Sequence, residues 1–100
     1  MENTKQPTQH QKEEFLEVLT LAAKDKRLLD AFLKDALTPA EYREIITRWQ
    51  ILKALWQGKG QREIMHDLKT GIATVTRGSR VLEGASGGAA QLLNKLVSRK

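Results

Sequence analysis

Cysteine is absent from the 100 residues. That removes disulfides, thiolate metal sites and thiol catalysis together. Histidine is nearly as scarce. His10 and His66 are the only two, far apart and without a third partner, which argues against a structural zinc site. No apolar run approaches the ~20 residues needed to span a bilayer, so no membrane association is expected. The opening stretch, MENTKQPTQHQKEE, lacks the charged-then-apolar pattern of a secretory leader, and the expected location is the cytoplasm. No segment alternates apolar and polar residues as a strand would. Paired carboxylates, a nucleophile–base pair and a metal-ligand cluster are also missing as motifs. Nothing points to an enzyme, and no cofactor is expected.

The chain is 40% hydrophobic and 29% charged, which fits one globular domain and not a disordered chain. Its net charge is +5, and the placement of that charge is uneven. Residues 1–60 hold ten Lys/Arg against nine Asp/Glu, whereas residues 61–100 hold seven against three. The basic excess of the second part is either a phosphate-binding footprint or a solubilising surface.

Residues 1–12 are polar, contain Pro7 and read as a flexible N-terminal arm. Helical spacing begins at Phe15 with Leu16, Val18, Leu19 and Ala22. After a break at Lys24-Asp25-Lys26, a short second helix carries Leu28, Leu29, Phe32 and Leu33. In Leu37-Thr38-Pro39-Ala40-Glu41, Thr38 is an N-cap, Pro39 takes the first helical position and Glu41 completes a capping box. The third helix then runs from Pro39 to about Gln57 and stops at Gly58. It is apolar on two sides: Tyr42, Ile45, Trp49, Leu52 and Trp56 form one stripe, Ile51 and Leu55 another. Such a helix needs neighbours on both sides, and a small subunit of short helices supplies few. The expected solution is a dimer that shares its core. Trp49 and Trp56 are expected in that core, and His66 on the surface. Gly84-Ala85-Ser86-Gly87-Gly88 reads as a flexible joint before a last helix with Leu92, Leu93, Leu96 and Val97 on one face.

Residues 61–80, QREIMHDLKTGIATVTRGSR, have the form of a helix-turn-helix, in which a second helix enters the DNA major groove. Ile64, Leu68, Ile72 and Val75 are candidates for its inward positions, and Lys69-Thr70-Gly71 for its turn. Gly71, Ile72, Ala73 and Thr74 give the second helix a slim N-terminus. Thr74 and Thr76 suit phosphate or base contacts, while Ile72 or Ala73 suits a thymine methyl. Gln61 and Arg62, opening the preceding helix, are candidate phosphate contacts, with a guanine edge also open to Arg62. The alternative is a plain helical hairpin. Met65 stands where such motifs usually have a small residue, and Lys69 where they often have glycine.

The run GIATVTRGS, residues 71–79, is poor in helix formers, and a helical glycine costs about 1 kcal/mol against alanine. Together with LTPAEYREIITRWQILKALWQGKGQREI before it, the run closely resembles the Trp repressor family, over about residues 13–98. That family is itself a standard example of the helix-turn-helix. The resemblance implies an all-α, six-helix subunit in an intertwined homodimer. It implies a repressor of tryptophan biosynthesis or transport operons that binds palindromic double-stranded operator DNA, with L-tryptophan as corepressor. By matching position, Arg48 and Arg77 would flank the indole, Arg77 and Thr38 would hold the carboxylate, and Gly78 would leave room for the ring. Arg77 would also belong to the DNA-facing set. The chemistry agrees, since a guanidinium stacks on an indole and also pairs with a carboxylate.

Taken without the resemblance, Thr38 is an N-cap, Arg48 a solvated arginine, and Arg77 a phosphate contact as readily as a ligand contact. Three departures from the family stand out. Val81 replaces a serine that helps hold the ligand ammonium, which leaves backbone carbonyls near Asp35 and Leu37 as its acceptors. The connection Gly58-Lys59-Gly60 is one residue shorter than usual. Met65 and Arg80 replace polar residues in the recognition region. These departures leave open a regulator of the same fold that ignores ligand or answers an indole acid.

Overall fold

The computed structural model describes residues 6–96. Those residues are all-α, with no strand among them. Six helices follow in order: α1 (Gln9–Ala22), α2 (Lys26–Ala36), α3 (Pro39–Trp56), α4 (Gln61–Leu68), α5 (Ile72–Leu82) and α6 (Gly88–Leu96), with a short 3-10 turn at Glu83–Ala85. They group into two compact units, one up to Tyr42 and one from Arg43, so α3 begins in the first and ends in the second.

In the first unit α1 packs on α2. Helix α1 starts earlier than the hydrophobic pattern suggests. Thr8 is its N-cap: the Gln11 N–H donates to the Thr8 hydroxyl at 3.0 Å, and the Thr8 N–H donates to the Gln11 side chain at 2.9 Å. This capping box turns residues 9–12 of the expected arm into helix. Residues 1–5 of that arm lie outside the described residues. Asp25 caps α2 by accepting from the Arg27 N–H at 3.0 Å. The expected capping box of α3 is present: the Glu41 N–H donates to the Thr38 hydroxyl at 3.1 Å, and the Thr38 N–H to Glu41 at 2.9 Å.

One polar cluster ties α2 to the first turn of α3. The Tyr42 hydroxyl donates to Asp30, and Lys34 pairs with the other Asp30 oxygen at 2.9 Å. The Tyr42 hydrogen bond first, then Lys34, hold the Asp30 carboxyl below its ordinary 3.8. The Asp30 contact in turn raises both Tyr42 and Lys34. Phe15 and Phe32 meet with ring centroids 6.4 Å apart.

The second unit has two apolar centres. Ile51, Ile64 and Val75 form one, joining α3, α4 and α5, with Leu55, Met65 and Leu68 against it. Met65, long where a small residue is usual, is accommodated at the margin of this cluster. Trp56, Ala90 and Leu93 form the other, with Trp49, Leu52 and Leu82 packed on it. Both tryptophans therefore sit in apolar packing, as their stripe suggested. Leu92 and Leu96 stay exposed on α6, and Val97 lies outside the described residues.

Helix α3 ends in a Schellman arrangement. Gly58 has φ +94°, its N–H donates to the Leu55 carbonyl, and the Lys59 N–H donates to the Ala54 carbonyl, each at 3.0 Å. Only a residue free of Cβ strain takes that φ without cost. The segment expected as a flexible joint is a defined turn, with Gly84 at φ 77° and Ala85 at φ 55°.

Candidate functional site

Helices α4 and α5 form a tight pair joined by Lys69-Thr70-Gly71. Lys69 ends α4 in the left-handed region, at φ 52° and ψ 50°, and its N–H reaches back to the Met65 carbonyl. The turn therefore keeps the backbone shape that glycine favours, although a lysine occupies it, at a cost of about 1 kcal/mol. Gly71 is the extended N-cap of α5, with open space where a Cβ would stand.

Val75 and Gly78 are the buried residues of α5. Ile72, an inward candidate by its spacing, is instead 51% exposed, so Ile64, Leu68 and Val75 hold the pair together without it. It stands beside the exposed Ala73 and Gly71 at the open start of the helix. Thr74 and Thr76 are half-buried, and Arg62 and Arg77 are exposed. The Gln61 side-chain amide donates to the Ser79 hydroxyl at 3.1 Å, bracing the start of α4 against the middle of α5. That contact is non-local and had no signature in the sequence.

The opposite side of α5 borders a cavity of about 190 Å³, lined by Arg48, Ile51 and Leu52 of α3 and by Thr74, Arg77, Gly78 and Val81 of α5. A cavity of about 150 Å³ is enough to hold benzene, so this one has room for a small aromatic ring. Arg48 and Arg77 are brought to it from two helices, and their guanidinium groups have no ion pair or hydrogen bond among the described residues. The walls are otherwise mainly aliphatic. Val81, 42% exposed, adds no polar group. Thr74 faces this cavity, a placement the helix-turn-helix reading alone does not give.

Gly78 lines the cavity and also closes the packing. A Cβ there would lie 3.1 Å from Ile51 Cγ2 and 3.1 Å from Leu55 Cδ1. The missing side chain thus admits α3 against α5. Leu37 and Thr38 belong to the first unit, at the end of α2 and the N-cap of α3. Thr38 accepts at its hydroxyl oxygen from Glu41 and keeps its own proton to donate elsewhere.

His66 is exposed, beside Asp67. No cluster of three or more His, Asp or Glu that suits a metal ion occurs among the described residues. No helix among them is long and apolar enough to cross a membrane.

Comparison with known proteins agrees with this geometry. The family described as Trp repressor protein matches residues 10–97. A Trp operon repressor homolog of Photobacterium profundum is 38% identical over 72 residues, 71% of this chain and 70% of that protein. One from Mannheimia succiniciproducens is 43% identical over 70 residues, 69% of this chain and 68% of that protein. One from Chlamydia trachomatis serovar L2 is 33% identical over 84 residues, 83% of this chain and 88% of that protein. The chain belongs to the Trp repressor family, a family of transcription regulators and not of enzymes.

Proposed function

We propose that this chain is a cytoplasmic operon repressor that binds double-stranded operator DNA as a homodimer, with L-tryptophan as its corepressor. The observation that carries this reading is the two-sided character of α5. One side presents Gly71, Ile72 and Ala73 in the open, while the other borders the cavity between Arg48 and Arg77. A ligand in that cavity touches the reading helix directly, so its binding energy biases the helix position that DNA selects.

The candidate residues fit most of the ligand. Two guanidinium groups suit an indole face and a carboxylate. Thr38 has a hydroxyl proton for the carboxylate, and the Leu37 carbonyl, at the cationic-ligand-favouring end of a helix, suits an ammonium. For DNA, the contact set is Gln61, Arg62, Gly71, Ile72, Ala73, Thr74, Thr76 and Arg77, with Thr74 and Arg77 also bordering the cavity; phosphate contacts position the helix and its slim start reads the bases. Dimerisation draws support from the apolar side chains left exposed on several helices, among them Phe15, Leu16, Leu21, Ile45 and Ile46, more than an isolated subunit normally shows to water.

Val81 favours a second reading, in which the same fold answers an indole acid without an amine or no ligand at all. An ammonium short of one partner costs about 1–3 kcal/mol. Calorimetry with L-tryptophan and indole-3-propionate separates the readings. A clear preference for tryptophan, with the binding of both ligands weakened in Arg77→Ala, supports the corepressor. Equal or stronger binding of the amine-free acid supports the second reading, and binding of neither supports a ligand-independent regulator.

A further inference from the structure

We propose that Arg80 is a DNA-backbone contact, gripping a phosphate beside the groove that α5 enters. The inference rests on the DNA-binding reading above and extends it to a residue outside the contact set.

At 100° per residue, the buried Val75 and Gly78 and the half-buried Leu82 mark one side of α5. Ala73 and Arg80, seven residues apart, fall on the opposite side. Both are exposed. The cavity takes Thr74, Arg77, Gly78 and Val81, which lie to one flank, and it does not take Arg80. Arg80 therefore shares its direction with the slim reading end and not with the ligand.

Its charge is uncommitted. The Arg80 carbonyl accepts from the Glu83 N–H at the end of α5, but the Arg80 guanidinium has no ion pair or hydrogen bond among the described residues, although the exposed Glu83 stands three residues on. Along the helix, Arg80 lies about 12 Å beyond Ile72 at 1.5 Å per residue. Base edges are read by the first turn or so of a recognition helix. A long cation two turns further back meets the sugar–phosphate rim of the groove instead. Helix α5, IATVTRGSRVL, carries no acidic residue of its own, so no carboxylate within the helix repels the backbone.

Arg80 also lies in the last turn of α5, where a cation complements the helix dipole. That role alone changes thermal stability and leaves DNA binding untouched. The test uses the full chain with saturating L-tryptophan and a duplex that the wild type selects from a randomised library. Affinities of wild type, Arg80→Gln and Arg80→Lys are measured from 50 to 200 mM KCl. One phosphate per subunit of a dimer changes the slope of log affinity against log salt by about 1.8. The wild-type advantage over Arg80→Gln then shrinks about twelvefold across that range, equally for the selected and for a scrambled duplex, and Arg80→Lys restores it. An unchanged slope in Arg80→Gln overturns the proposal, whatever happens to stability. A loss confined to duplexes with one particular base pair also overturns it, because Arg80 then reads a base. If the wild type selects no duplex and binds none, the DNA-binding reading itself falls.

Discussion

Replacing Gly78 with alanine weighs two opposing effects. An alanine inside a helix gains up to about 1 kcal/mol over glycine. Here, however, the new Cβ would stand 3.1 Å from both Ile51 Cγ2 and Leu55 Cδ1, and 3.7 Å from Leu52 Cδ2. Ile51 is 1% exposed and locked against Ile64 and Val75. Being β-branched, it has little rotamer freedom with which to withdraw. Overpacking of this kind costs about 1–3 kcal/mol. The expected net result is a loss of about 1 kcal/mol, which lowers the melting temperature by about 4–8 °C for a domain of this size. The assay is thermal unfolding by circular dichroism at one fixed protein concentration, because association shifts the midpoint. Gly88→Ala is the matched control: it opens α6 and has nothing within 4 Å of its Cβ, so it is expected to be neutral or slightly stabilising. A Gly78→Ala protein as stable as the control would refute the close approach of α3 to α5.

Lys69→Gly relieves a left-handed backbone at φ 52° and is expected to stabilise the protein by about 1 kcal/mol in urea unfolding; no gain would mean the turn relaxes some other way. Val81→Ser restores a hydroxyl to the cavity wall and is expected to tighten L-tryptophan binding about tenfold, about 1.4 kcal/mol in calorimetry, with little effect on an amine-free indole acid. The Asp30 cluster adds a pH dependence. Because Asp30 is held below its ordinary 3.8, its contribution is present above that value and is lost as pH falls through the lower folded value. Tyr42 and Lys34 are raised, so their contributions hold below their ordinary values and are lost as pH rises through the folded ones. Stability measured against pH should therefore drop on the acid side in the wild type and drop less in Asp30→Asn; superimposable acid limbs would count against the cluster.

The features legible in the sequence are those that short spacing determines. The Thr38–Glu41 box, Gly58 at the end of α3 and the limits of α4 and α5 follow from local chemistry. The Thr8–Gln11 box has the same grammar, but it precedes the first apolar position by two turns, so apolar spacing alone starts the helix too late. Lys69 and Ala85 hide their backbone shapes, since neither residue type advertises a positive φ. At the site, Arg48 of α3 meets Arg77, Gly78 and Val81 of α5 at one cavity, although the whole of α4 lies between them in the chain. The resemblance supplied that grouping, and spacing could not. The second duty of Gly78, against Ile51 and Leu55, and the Gln61–Ser79 brace depend on how α3, α4 and α5 pack, which no local pattern encodes. Ile72 misled for a simpler reason: an apolar residue at helical spacing reads as core, whereas at the start of α5 it stands in the open.

The most direct measurement is a DNA-binding titration at fixed salt on a Trp-repressor-type palindrome, with and without L-tryptophan. Tightening by tenfold or more, about 1.4 kcal/mol, is the result expected if the cavity beside α5 gates the reading helix. Specific binding of equal strength in both conditions would contradict that coupling and leave a DNA-binding protein whose cavity does not answer tryptophan.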